Sequence, residues 1–202
     1  MNWHHYSKTV KSTEIADYQT TERLISTLLY DDIPASGIIS ARDQENTLAG
    51  RIEKNTYTKG GLIFLVVPAG KNPEVKDEIF TAISPIKDAV VNYISNFTQH
   101  DPSDYYLESC WVVCQREGDY APLHNHGDVD FAGIWYLTRP ACITEKTFPN
   151  GHLYIIDEQV FHVPPNPGSL VIWPADRRHG VYPYRGVGNR VAVSFNIKKK
   201  QA

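Results

Sequence analysis

The chain has 202 residues, 42% of them hydrophobic and 21% charged, with a net charge of −3 and a pI near 6.2. That length suits one domain with a sizeable core. The slight acidic balance argues against nucleic acid or an anionic membrane surface as partner, because no basic excess exists to neutralise phosphates. Three cysteines, Cys110, Cys114 and Cys142, form an odd set with no disulfide framework, which points to a reducing, cytoplasmic setting. The longest apolar run, 62–68, is too short to span a bilayer, and Met1 to Lys8 carries no apolar stretch of a secretory signal. The other mark of the composition is eight histidines, five of them between positions 124 and 179.

In chain order, Thr20-Thr21-Glu22 opens a stretch whose apolar residues Leu24, Ile25, Leu28 and Leu29 fall on one helix face. Residues 31–60 are polar and punctuated by glycine. They read as a long irregular segment, either a lid over a site or a surface excursion. Pro73 starts a second helical pattern. Ser84-Pro85 is a helix start signal, so 84–97 is expected as its own helix or a kinked continuation. Near residue 100 the chain changes character, and nine of the thirteen prolines follow. They divide it into short runs rich in Val, Ile, Tyr, Trp and Phe at 105–114, 131–138, 152–156, 160–163, 169–173, 181–184 and 190–197. Short strands without intervening helices predict an antiparallel sandwich or barrel of jelly-roll type. The expected architecture is therefore α+β in a single domain, 1–202. N-terminal helices over 1–104 would pack on a β core over 105–198.

His124-Asn125-His126-Gly127-Asp128-Val129-Asp130 is the most informative heptapeptide. On an extended strand, residues two apart share a face, so His124, His126 and Asp128 could converge on one point. Imidazoles and a carboxylate on one face suit a first-row transition metal. A further ligand must come from elsewhere, and His179, in a short loop before Gly180-Val181-Tyr182, is the leading candidate. Farther on, strand alternation places Arg190, Ala192, Ser194 and Asn196 on one face and Val191, Val193 and Phe195 on the other. The second face is core. The first carries a cation followed by small groups, and an arginine so placed can hold a carboxylate bidentately. Cys110 and Cys114 share a face without two further zinc ligands, and read as small buried hydrophobes. Asp157 and Glu158, between His152 and His162, read as a loop-borne charge pair.

Gly118-Asp119-Tyr120-Ala121-Pro122-Leu123-His124-Asn125-His126 resembles the approach to the metal motif of Fe(II)/2-oxoglutarate-dependent dioxygenases of the prolyl-hydroxylase-like kind, in which a Gly stands six residues before the first metal histidine. Phe131 to Leu137 resembles their next strand. Pro167 to Pro174, then His179-Gly180-Val181, resembles the strand and loop delivering the distal histidine, and Arg190 to Asn196 the strand that binds the co-substrate. The family most similar has a His-x-His motif and an Arg-x-Ser-x-Ser-Phe-Asn ending, and the resemblance covers about 105–197. It implies a double-stranded β-helix, Fe(II), and 2-oxoglutarate as co-substrate, decarboxylated to succinate while a second substrate is hydroxylated. That substrate would be a small molecule or a protein side chain. The resemblance also implies that Arg190, assisted by Tyr136, holds the far carboxylate of 2-oxoglutarate.

Two departures from the pattern matter. The usual motif is His-x-Asp, which fits in two registers. The Gly118 spacing favours His124 and His126 with His179, a three-histidine site. The literal His126-Gly127-Asp128 gives two histidines and a carboxylate, and keeps Asp128 a candidate ligand. The second departure is Ala192, where the pattern has Ser, so one hydrogen bond to 2-oxoglutarate, on the order of 1 kcal/mol, is missing. Two other readings compete. One is a cupin-type metalloenzyme without 2-oxoglutarate, its motif running through Asp130. The other is a non-catalytic jelly-roll binding module.

Overall fold

The computed structural model describes residues 1–30, 63–65 and 73–201. Eleven strands and two helices follow in the order β1 (Trp3–His5), β2 (Lys11–Glu14), α1 (Gln19–Tyr30), β3 (Ile63–Leu65), α2 (Pro73–Phe97), β4 (Tyr105–Gln115), β5 (Ala121–His124), β6 (Phe131–Thr138), β7 (Leu153–Ile156), β8 (Val160–Val163), β9 (Ser169–Pro174), β10 (Arg178–Val181) and β11 (Arg190–Lys199). A seven-stranded sheet, β1-β2-β9-β6-β11-β4-β3, faces a four-stranded one, β5-β10-β7-β8, with every pairing antiparallel. This is the expected jelly roll with helices packed on it. The lid-or-excursion segment 31–60 lies outside the described residues. No described helix is long and apolar enough to cross a membrane.

Strand alternation divides the core in two. On β6, β9 and β11, Trp135, Leu137, Leu170, Ile172, Val191, Val193 and Phe195 point to the helices and meet Ile25 of α1 and Ile86, Tyr93 and Ile94 of α2. The intervening residues Ile134, Tyr136, Val171, Trp173 and Ala192 point the other way and meet Leu153, Ile155 and Val181 of the small sheet. The middle of the large sheet is therefore buried on both faces, and β6 and β9 read as nearly unbroken apolar runs. Cys114 joins the helix-side core, with Cys110 packed against it, as expected of small apolar groups.

Three sequence expectations are corrected. Residues before 73 contribute strands as well as helix. The hairpin β1–β2 pairs through Lys11–Glu14 with β9, and β3 pairs with β4. These short segments hold the sheet through backbone bonds, and the polar composition of β1 and β2 shows no apolar alternation. Second, of the two alternatives for 84–97 the separate helix is dropped and the continuation holds: α2 runs from Pro73 through Pro85 to Phe97. Proline leaves the Thr81 carbonyl without its helical N–H donor. The Ser84 hydroxyl donates to that carbonyl at 2.7 Å, so the helix continues. Third, the strand expected at 181–184 lies earlier, at Arg178–Val181, and takes His179 out of the loop into the ladder.

Gly133 marks the tightest point of the large sheet. A Cβ there would run into the Phe195 ring and come within 2.8 Å of the Val171 carbonyl. Gly133→Ala should therefore cost roughly 2 kcal/mol of stability through overpacking, read as a lowered denaturant midpoint with an unchanged slope.

Candidate metal centre

β10 lies between β7 and β5, and the β10–β5 register sets His179 opposite His124. Two residues past His124 the strand has ended, but the His126 N–H donates to the Ala175 carbonyl at 2.9 Å and keeps the chain against the barrel. The ligating atoms of His124, His126 and His179 all lie within 4.8 Å of one another. Ring centroids are 4.3 Å apart for His124–His179, 5.1 Å for His126–His179 and 5.3 Å for His124–His126.

Each ring is held by Nδ1. His124 Nδ1 donates to the Pro122 carbonyl at 2.7 Å, His179 Nδ1 to the Arg177 carbonyl at 3.0 Å, and His126 Nδ1 to Asn196 Oδ1 at 2.7 Å. A carbonyl oxygen only accepts, so the proton sits on Nδ1 and the Nε2 lone pair is left for a cation. Burial, reinforced by the neighbouring His124, pushes His126 down to about 4 and His179 down to about 3. Both rings are therefore neutral at pH 7, the form that ligates metal. Trp111 stacks on His126 at 6.1 Å, and Trp173 meets His179 edge-on at 4.8 Å.

Of the two registers left open by the sequence, only the three-histidine one is assembled. β5 stops at His124, and the chain turns at Gly127-Asp128, so the two-residue alternation never reaches Asp128. Asp128 is exposed on that turn and lies outside the cluster, although it lines the same cavity. Asp130, the acid of the cupin-like motif, is used elsewhere. Its carboxylate accepts from the Lys199 N–H at 2.7 Å.

Arg190 opens β11 on the cavity side, and its side chain is completely buried. Nη1 donates to Gln115 Oε1, while Nε and Nη2 have no hydrogen-bond partner. The Tyr136 ring lies 4.9 Å from the guanidinium, and the Tyr136 hydroxyl is also buried without a partner. A guanidinium out of water is costly unless an anion answers it. The cavity, of about 560 Å³, runs from Arg190 past Ser194, Trp173 and the three histidines to Glu108 and Asp128. Ala192 packs into the core between the sheets and offers no donor.

Sequence reading missed the residues that hold these groups in place. Asp157, read there as half of a loop charge pair, accepts from Ser7 Oγ at 2.7 Å and Arg177 Nε at 2.6 Å. It thus ties the N-terminal segment to the residue whose carbonyl orients His179. His152 Nε2 contacts the Thr144 carbonyl at 2.9 Å. Gln115 and the anchoring role of Asn196 carry no local signal, because each depends on a partner about 70 residues away.

A family model described as "Putative 2OG-Fe(II) oxygenase" matches residues 109–196, the span that holds the histidines and Arg190. Over that span the chain is similar to the 2OG-Fe(II) oxygenases. Solved structures show the same fold. A prolyl hydroxylase from Trichoplax adhaerens superposes with a TM-score of 0.63 at 17% identity, covering 96% of this chain and 84% of that one. A prolyl-4-hydroxylase from Pseudomonas putida gives 0.59 at 14%, covering 96% and 94%. A 2OG-Fe(II) family oxidoreductase from Burkholderia pseudomallei gives 0.58 at 12%, covering 93% and 84%. No curated protein matches the sequence.

Oxygenases of this family use Fe(II) and 2-oxoglutarate. Three clustered imidazoles with Nε2 free, and a buried guanidinium without an anion, fit both. Asn196→Ala removes the acceptor that orients His126, and should weaken Fe(II) binding about 10-fold or more, measured by competition with a chelator. In metal-free protein, His126 and His179 stay neutral below the ordinary histidine pKa of about 6.5, whereas the unfolded chain takes up protons there. Stability should therefore fall as pH drops from 6.5 towards 4, and a series of thermal melts across that window reads it directly.

Proposed function

We propose that His124, His126 and His179 hold Fe(II) through Nε2, and that Arg190, beside Tyr136, holds the far carboxylate of 2-oxoglutarate. A second substrate is hydroxylated at the open end of the same cavity. The observation that carries this reading is the buried, half-partnered guanidinium of Arg190 in one cavity with three clustered histidines. Bound Fe(II) with 2-oxoglutarate supplies the oxidising chemistry, consuming dioxygen and releasing succinate and carbon dioxide.

The chain binds, orients and excludes water. The Nδ1 hydrogen bonds fix the three rings, and three protein ligands would leave positions on the ion for a co-substrate. Three histidine ligands would bring no negative charge to the ion, so a dianionic co-substrate would balance it. Trp111 and Trp173 wall off His126 and His179. 2-Oxoglutarate supplies an anion for Arg190, which the cupin-type reading does not require.

The second substrate is a small molecule or a protein side chain. The cavity, open at Glu108, Asn125 and Asp128, suits a group of that size. A structural relative, the Trichoplax prolyl hydroxylase, was solved with a peptide fragment of hypoxia inducible factor, which supports the side-chain alternative. Three free cysteines fit a cytoplasmic setting.

His179→Ala should abolish stoichiometric Fe(II) binding. Arg190→Ala should leave the iron in place and raise the dissociation constant for 2-oxoglutarate about 100-fold or more, as expected on removing one partner of a buried charge pair. Anaerobic titration followed by charge-transfer absorbance measures both. Equal loss of iron and 2-oxoglutarate in Arg190→Ala would make that arginine structural and overturn the reading.

A further inference from the structure

Gln115 and Arg190 face each other across the β4–β11 ladder. Gln115 is only 1% exposed, and both residues line the cavity of the three histidines. The Gln115 amide is used on one side only. Its Oε1 accepts from Arg190 Nη1, while its Nε2 is buried with no partner. With Arg190 Nε and Nη2, that makes three nitrogen donors without acceptors on two facing side chains in the wall of one cavity. Leaving such donors dry is costly, and an acceptor-only group with several lone pairs, a carboxylate, answers all of them. Two residues along β11 stands Ala192, where a serine would have offered a further donor.

We propose that Gln115 binds and positions the co-substrate. Its Oε1 fixes the plane of the Arg190 guanidinium, and its Nε2 donates to the far carboxylate of 2-oxoglutarate in place of the donor that Ala192 lacks. The inference rests on the reading of Arg190 as carboxylate anchor. The amide is suited to both tasks because it presents an acceptor to the cation and a donor to the anion without adding a charge. A carboxylate at this position would pair with Arg190 itself and occupy the ligand's place.

The test uses Fe(II)-loaded, full-length protein and needs no turnover. It is titrated anaerobically with 2-oxoglutarate and with 2-oxopentanoate, which keeps the 2-oxo acid head and lacks the far carboxylate. Binding is read by calorimetry and charge-transfer absorbance, with iron content measured on the same samples. Gln115→Leu should raise the dissociation constant for 2-oxoglutarate 10- to 100-fold and leave iron content and 2-oxopentanoate binding unchanged, so that selectivity for the far carboxylate collapses. Gln115→Glu, which keeps the shape of the side chain, should raise it further, and carries the test on the same terms if Gln115→Leu does not fold. Unchanged 2-oxoglutarate affinity in both variants overturns the proposal, as does equal weakening towards both ligands. Wild-type protein that fails to bind 2-oxoglutarate overturns the Arg190 reading as well, an outcome distinct from tight wild-type binding that Gln115 does not affect.

Discussion

β10 is four residues long and pairs on both sides, with β7 through Arg178–Val181 and with β5 through His179 and Val181. The backbone bonds of this small sheet set His124 and His179 opposite each other, and no side-chain contact is needed to bring them there. Everything at the metal centre follows from that register. A slip of one residue would turn His179 to the other face of the sheet. Arg177, one residue before the strand, serves as a second fastener. Its carbonyl accepts from His179 Nδ1, and its guanidinium reaches Asp157, which also holds Ser7. The N-terminal segment is thereby part of the metal site without touching it.

The large sheet solves a different problem. Its central strands are buried on both faces, and Arg190 stands where the cavity interrupts the core. Its neighbours on alternate positions, Val191, Val193 and Phe195, are locked against α1 and α2. The helix layer thus keeps β11 rigid, and the guanidinium occupies a fixed position in a dry wall. Gln115 across the ladder removes one of its unmet donors and leaves the others facing the cavity. Electrostatics complete the design. In the proposed reading, three histidine ligands would bring no negative charge to the cation, so an anionic co-substrate would be attracted both by the metal and by Arg190.

Much of this was legible from spacing. His-x-His, the distant His179 and the alternation of β11 all lie in short windows where the two-residue strand period is strong, and the same holds for β6 and β9. The failures share one cause, which is pairing partners remote in sequence. β1 and β2 look polar because their contribution is backbone bonding to β9. His179 looked like a loop residue because its strand is defined by β5 and β7. Asp128 looked like a ligand because an ideal strand was extended past the point where β5 ends.

The sequence by itself determined the type of fold, the candidate set His124, His126, Asp128 and His179, and Arg190 as a cation on a strand face with room for a ligand, since these rest on residue chemistry and local periodicity. Only the tertiary structure decided which of His124, His126 and Asp128 share a centre, that Asn196 orients His126, and that Gln115 stands beside Arg190 with a free N–H. The reason is physical. Hydrogen bonds and ladder registers between residues about 70 positions apart leave no trace in composition or spacing, and they exist only once the two sheets have closed over the cavity.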